Sequence, residues 1–338
     1  MKLKKIFATA LISILYVGVL SACGNKESGS NSEGEEKIYN IDVGHVVTTN
    51  DAYHLALEKF AENVKEKSGG RINIEIFPSS QLGNERDLVE GITMGTVDMA
   101  VVASGNVAAF TNTYQPFDLP FIFRDHEHAH KVLDGEIGQQ ALKSLDSLGI
   151  KGLANWENGF YNTWNAKHPI NTPEDFKDLK IRANDNPIHI ASYDALGASA
   201  ITMGWSEVYT AIQNGTVDGV AVSIPSMYNS KIYEVAPYIS TSSEFYVTAI
   251  LMMNKNLFDG MPEDLQQILV EEANAVTAYE RQLVADMETE FIQKLKDEGF
   301  EVTNPDKEAL KEAAWQPVYD EYADKLGKDV IESIQNDY

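Results

Sequence analysis

Gly95-Thr96-Val97-Asp98 runs into the apolar stretch Met99-Ala100-Val101-Val102, and Gly215-Thr216-Val217-Asp218 runs into Gly219-Val220-Ala221-Val222. Each copy follows a helical pattern and precedes a short apolar strand. Upstream, Leu82-Gly83-Asn84 and Met203-Gly204-Trp205-Ser206 open the two helices. Gly95 and Gly215 suit the left-handed residue that closes a helix. Gly-Thr-Val-Asp is a good helix-to-strand turn in any context, so coincidence is one reading. The other is a pair of similarly built α/β lobes, whose intervening cleft is a natural small-molecule site.

Around the first copy the pattern is regular. Ile38 to Val46 reads as a strand. Ala52 to Lys67 carries a helical stripe of Ala52, Leu55, Ala56, Phe60 and Val64, stopped by Gly69-Gly70. Ile72, Ile74 and Ile76 alternate within Arg71–Phe77, a second strand. Asn84 and Asp87 form a capping box for a helix through Met94, and Met99–Ala103 is the third strand. This βαβα order predicts an α/β domain with a largely parallel sheet.

Around the second copy, Thr172-Pro173-Glu174-Asp175 places a capping Thr before a Pro at the first helical position. Lys180–Ala183 reads as a strand, with Arg182 at its end, before a turn through Asn184-Asp185-Asn186-Pro187. Ligands of open α/β sheets meet such carboxyl ends. From Pro262 to about Lys296 the apolar positions follow a helical period. One helix of that length is about 50 Å, enough to brace two lobes. Two helices or a coiled coil are the alternatives, although the heptads are poor.

The N-terminus sets the compartment. Lys2, Lys4 and Lys5 precede an apolar run from Ile6 to Leu20 that ends in Leu20-Ser21-Ala22-Cys23. A charged start, a short apolar core and small residues before a cut describe a signal peptide, here residues 1–22. Cys after Leu-Ser-Ala is similar to a lipoprotein box, in which the thiol receives a diacylglyceryl group. Two acyl chains suffice for stable attachment. Cys23 is the chain's only cysteine, so no intrachain disulfide is possible. Residues 24–37 contain no apolar side chain and read, with Cys23, as a lipidated disordered tether of the Gram-positive type. The expected location is therefore extracytoplasmic, on the outer face of the cell membrane. A formal charge of −24 over 338 residues argues against nucleic-acid partners. An anion site in such a chain needs local cations, which screening over roughly 8–10 Å permits.

Several stretches, in order and at matching spacing, resemble one family. They are Glu66-Lys67-Ser68-Gly69-Gly70-Arg71, Phe77-Pro78-Ser79-Ser80-Gln81-Leu82-Gly83, Asp118-Leu119-Pro120-Phe121-Ile122-Phe123 and Leu133-Asp134-Gly135-Glu136-Ile137-Gly138. Lys180-Ile181-Arg182, Leu196-Gly197-Ala198, Ser206-Glu207-Val208-Tyr209-Thr210-Ala211, Val217-Asp218-Gly219 and Pro262-Glu263-Asp264-Leu265-Gln266 continue the series. The chain resembles the DctP-type substrate-binding subunit of tripartite ATP-independent periplasmic (TRAP) transporters. The resemblance implies a two-lobed, periplasmic-binding-protein-like α/β fold with a long helix spanning both lobes. Lobe I is then expected at 38–158 and 248–287, and lobe II at 159–247 and 288–338. It implies a hinge that closes on a small organic acid, delivery to TRAP permease subunits in the membrane, no cofactor, and a monomer.

The resemblance also implies a carboxylate-binding arginine, and Arg182 falls on that position. A second arginine usual in the family is replaced by Tyr161, and a usual Asn by Val222. A pocket short of one cation and one amide suits a monocarboxylate with an apolar or aromatic body, held by Arg182 and flanked by Trp205 and Tyr161. Asn84, Glu85, Ser104 and His45 complete the candidate set. A neutral or zwitterionic solute, or a sensor built on the same fold, is the alternative. No nucleophile elbow, phosphate loop or zincin motif is present, so no enzyme is expected. His126 and His130 would share one face of a helix and suit zinc, but no third ligand is marked, so no metal site is expected.

Overall fold

The computed structural model describes residues 37–336. The expected signal peptide, Cys23 and the tether as far as Glu36 lie outside the described residues. The strands are β1 (Tyr39–Gly44), β2 (Ile72–Phe77), β3 (Met99–Ala103), β4 (Ile150–Asn165), β5 (Lys180–Ala183), β6 (Ser199–Thr202), β7 (Gly219–Val222), β8 (Tyr238–Asn254) and β9 (Val302–Thr303). The helices are α1 (Ala52–Lys67), α2 (Glu85–Met94), α3 (Ser104–Val107), α4 (His126–Asp134), α5 (Glu136–Ser144) and α6 (Pro187–Ala195). They continue with α7 (Val208–Gln213), α8 (Ile224–Asn229), α9 (Lys255–Asp259), α10 (Glu263–Asp297), α11 (Lys307–Leu326) and α12 (Lys328–Asn336). Among the described residues no helix is long and apolar enough to cross a membrane.

The sheet order is β2-β1-β3-β8-β4-β7-β5-β6, with β9 beside β8. β2-β1-β3 is one parallel trio and β7-β5-β6 a second. Two long antiparallel strands, β8 and β4, join them. The expectation of a largely parallel sheet therefore describes each trio, and the junction between them is antiparallel.

The repeated Gly-Thr-Val-Asp occupies equivalent places in the two trios. Gly95 and Gly215 have φ of 75° and 74°, the left-handed closure. The Thr96 N–H donates to Gly91 O at 2.8 Å, and the Thr216 N–H to Ala211 O at 2.9 Å. Each Asp then reaches the neighbouring strand: Asp98 Oδ2 accepts from the Asp42 N–H at 3.1 Å, and Asp218 Oδ2 from the Lys180 N–H at 2.9 Å. The same four residues close a helix, start the third strand of a trio and pin the first one. Coincidence does not account for that correspondence.

Each trio has its own apolar core. Ile41, Leu57, Phe60, Leu88, Val101 and Trp156 belong to the first, and Trp164, Phe176, Ile181, Val208, Val220 and Phe245 to the second. α10 spans both, with Leu265, Leu269, Ala273 and Val276 in the first core and Phe291 and Leu295 in the second. It is one helix that starts at Glu263, so Pro262 is its N-cap and not its first residue. Thr172–Asp175 caps only a short 3-10 turn, with Asp175 accepting from the Asn171 and Thr172 N–H groups. The C-terminal stretch is shared differently from the expected 288–338 assignment. Leu310 and Ala314 of α11 pack in the second core, but Val318, Tyr322 and Leu326, with Ile331 and Ile334 of α12, pack in the first. α11 crosses back, so the described residues end against the body in which they begin.

Candidate ligand-binding site

Arg182 stands where β5 ends, paired with Ile201 of β6 and Val220 of β7. Its side chain is 3% exposed. Nε and Nη2 donate to Met203 O at 3.1 and 2.8 Å, and Nη1 donates to Asn184 Oδ1 at 2.8 Å. These bonds fix the guanidinium plane, and Trp205 lies beside it at 5.9 Å. Three of the five N–H groups are spent, which leaves one on each terminal nitrogen. Such a pair is what a carboxylate takes end-on. Among the described residues Arg182 has no carboxylate within ion-pair distance. Burial lowers its pKa, with Glu85 among the groups that oppose the shift.

Facing it are residues of the first trio. Glu85, the first residue of α2, is buried; its carboxylate accepts from the Ala103 N–H at 2.8 Å and from Asn106 Nδ2. Burial pushes its pKa up to about 6, and Arg182 pulls the other way. Asn84 caps the helix, its N–H donating to Asp87 Oδ2 at 2.9 Å, and its Oδ1 accepts from the Ser206 N–H at 3.3 Å. Asn84, Glu85, Asn106, Arg182, Met203 and Trp205 line a cavity of about 200 Å³ between the two trios.

The bodies touch at further points around this cavity. Arg86 pairs with Asp185 at 2.7 Å, both more than half exposed, a contact worth little by itself. Asn186 Nδ2 donates to Asp118 Oδ2 at 2.7 Å, Ser226 Oγ to Asp51 Oδ2 at 3.0 Å, and Asn229 Nδ2 to Asn50 O at 3.2 Å. Ala103 at the end of β3 packs in the second core, while Ile188 at the start of α6 packs in the first. The cleft is closed.

The sequence model of the bacterial extracellular solute-binding proteins, family 7, matches residues 43–325. The chain belongs to this family. Within it, the 2,3-diketo-L-gulonate-binding periplasmic protein YiaO of Escherichia coli is 35% identical over 87% of this chain and 90% of its own length. A TRAP periplasmic solute-binding protein of Polaromonas, bound to D-erythronate, superposes with a TM-score of 0.86 at 33% identity, covering 88% of this chain and 98% of that one. Another from Bordetella, with density interpreted as pantoate, gives 0.85 at 34% identity over 88% and 99%. The two-lobed α/β fold and the role of TRAP solute-binding subunit are those expected from the sequence.

Within this solute-binding subunit the candidate residues separate. Arg182, Asn84, Glu85 and Trp205 line the cavity. Tyr161 lies just behind it, buried in the second core; its hydroxyl accepts from Asn158 Nδ2 at 3.2 Å, and Glu85 and Arg182 both act on it electrostatically. Val222 packs in the second core. Ser104 is fully buried, with its Oγ 3.5 Å from Asp118 Oδ1 and accepting from the Thr248 N–H at 3.3 Å. His45 pairs with His54 at 3.1 Å, and burial, with His54 adding to it, holds its pKa down at about 3. None of these last four lines the cavity. The sequence reading did not pick out Asn106, which lines the cavity, nor Asn184, His189 and Asp118. Asn184 Nδ2 and His189 Nε2 are buried without a hydrogen-bond partner among the described residues. Asn184 and Asn186 sit in the polar turn after Arg182, which was the one available signal. The structure also brings a carboxylate that the sequence did not mark to this helix face, since Glu157 meets both His126 and His130.

Asp118 gives this interface a pH dependence. Burial raises its carboxyl to about 7, against the opposing hydrogen bonds from Asn186 and Ser104. A raised acid binds its proton more tightly in the native state, so its contribution to stability is complete below its unfolded value and lost as pH rises through about 7. From about pH 5 upward that loss approaches ~3 kcal/mol. Asp118→Asn removes it, so the Tm advantage of the variant should widen between about pH 5 and about pH 8. Parallel Tm curves over that range would refute the assignment.

Proposed function

We propose that this subunit captures a small carboxylate in the interlobe cavity and delivers it to a TRAP permease, as a lipoprotein anchored through Cys23 to the outer face of the cell membrane. It works as a monomer by recognition alone, with no catalysis. The observation that carries the ligand class is Arg182, a buried guanidinium with one N–H unspent on each terminal nitrogen, set in the cavity between the two bodies. The D-erythronate and pantoate of the Polaromonas and Bordetella proteins are acids with a single carboxylate, which supports the same class here.

The interior narrows the class. Tyr161 supplies a phenol where an arginine would add charge, and Val222 contributes only apolar packing. A second carboxylate would find only Arg86, already paired with Asp185, and it would face Glu85. A cavity of about 200 Å³ also limits the ligand to a small molecule. The ligand is a monocarboxylate with an apolar or aromatic body against Trp205. A thermal-shift screen of monocarboxylates, dicarboxylates and sugar acids tests this. Monocarboxylates should give the largest rise, about 2.7 kcal/mol of stabilisation at a hundredfold excess over Kd. Stabilisation by dicarboxylates alone would overturn the reading.

A further inference from the structure

We propose that His126, His130 and Glu157 form a binding site for one divalent transition cation of the zinc class, at the junction of the two bodies and separate from the ligand cavity. His126 and His130 lie one turn apart on α4 and present their rings to the same side. β4 brings Glu157 between them, with Oε1 2.5 Å from His126 Nδ1 and Oε2 2.8 Å from His130 Nε2. One donor atom from each of the three residues falls within 4.8 Å of the others. Zinc bonds of about 2.0–2.1 Å in a tetrahedron put donors about 3.3 Å apart. The two Glu157–His distances need to open by less than about 1 Å to reach that, and a donor pair at the 4.8 Å limit would need to close by about 1.5 Å.

The surroundings are those of a metal centre as well as of a charge cluster. His126 Nε2, the nitrogen not facing Glu157, is 3.3 Å from Glu288 Oε2 on α10. A carboxylate on the far nitrogen fixes the tautomer that leaves the near one free to ligate. The backbone at Glu157 is held in place, because its N–H donates to Glu280 Oε2 at 2.9 Å. The register shift in β4 between Glu157 and Gly159 turns this carboxylate toward α4. Tyr246 closes the apolar side, edge-on to both imidazoles. The nearest cation on α10, Arg281, makes two bonds of 2.7 Å to Asp134.

Access exists. His126 forms part of the wall of a separate cavity of about 410 Å³. Its wall also carries Arg124, Lys307 and Lys311, so entry is against some positive charge. Asp125 and Glu308 stand in the same wall, and Glu157 and Glu288 add two negative charges at the site itself. Two imidazoles and one carboxylate favour zinc or cobalt over magnesium or calcium, which take oxygen ligands. The fourth position is left to water. The cation would tie α4 to β4 between Trp156, in the first core, and Tyr161, in the second.

The test is a Co2+ titration of the untagged, chelator-treated full chain. Visible d–d bands should grow to saturation at one equivalent and disappear when Zn2+ is added. His126→Gln and His130→Gln should each weaken Co2+ at least tenfold while leaving ligand binding intact. His130 is partly exposed, so His130→Gln decides the matter should the other variant fail to fold. No saturable band, or wild-type Co2+ affinity in His130→Gln, would overturn the proposal and leave an ion-paired cluster that needs no metal.

Discussion

Arg182→Ala should weaken ligand binding by roughly thirtyfold to several thousandfold while the chain stays folded. Truncating one side of a buried, hydrogen-bonded charge pair costs about 2–5 kcal/mol, much of it the cost of leaving the partner charge buried and unpaired. Here that partner is the ligand carboxylate, and the described residues of the cavity supply no second cation within it except Arg86, which is engaged with Asp185. Folding should survive for two reasons. Burial already penalises the guanidinium, as its lowered pKa shows. Of the two groups it would leave behind, Met203 borders a cavity that water can enter, and Asn184 lies buried behind it. Arg182→Lys separates charge from geometry. An ammonium keeps the charge but cannot span Met203, Asn184 and two carboxylate oxygens at once, so it should recover only part of the loss. Calorimetric titration with the acid identified by the screen measures both variants, and an unchanged Kd in Arg182→Ala at wild-type Tm would remove Arg182 from the site.

What the sequence made legible was local. α1, β3 and β5 fall on the residues expected, and α2 starts at its capping box, because each is set by its own apolar period and its own terminal residues. The doubled Gly-Thr-Val-Asp was readable for the same reason, since helix closure and strand start lie within a few residues. β4 was not readable. It runs through both cores and is buried along nearly its whole length, so it shows no in-out alternation. Its polar residues are satisfied from distant segments, Asn155 by Tyr114 Oη at 3.0 Å and Glu157 by α4. The same distance explains why Glu157 was not seen beside His126 and His130. His126 and His130 announce a helix face, but which carboxylate meets it depends on a bulge in a strand whose path is fixed only by tertiary packing. α11 misled the lobe assignment similarly, because a helix that changes cores midway has no marker at the crossing.

Gly105→Leu should abolish measurable ligand binding although it touches neither Arg182 nor the groups beside it in the cavity wall. Gly105 lies on α3, immediately after β3, against the turn and helix that follow β5. A Cβ there would sit 2.8 Å from Asn184 Nδ2 and 3.2 Å from His189 Cε1. Alanine already forces Asn184 to shift, and leucine brings three more carbons into a space already filled. The clash exists only when the two bodies meet. Separating them relieves it, at the cost of the packing that Ala103 and Ile188 make across the junction. The substitution therefore acts on the closed state alone. A ligand that requires closure must then supply the clash energy from its own binding free energy, and its apparent affinity falls by the fraction of molecules still able to close. Overpacking of this kind costs about 1–3 kcal/mol where neighbours can shift and more where they cannot. Here Asn184 is held by Arg182 and His189 by the tilted ring of Phe245 at 4.0 Å, so neither yields easily. Solution scattering should show a larger radius of gyration for Gly105→Leu than for the wild type in the presence of ligand, with the ligand-free Tm little changed. Wild-type affinity in Gly105→Leu would mean that this contact is no part of the bound state, and that the ligand is held without the two bodies meeting at α3.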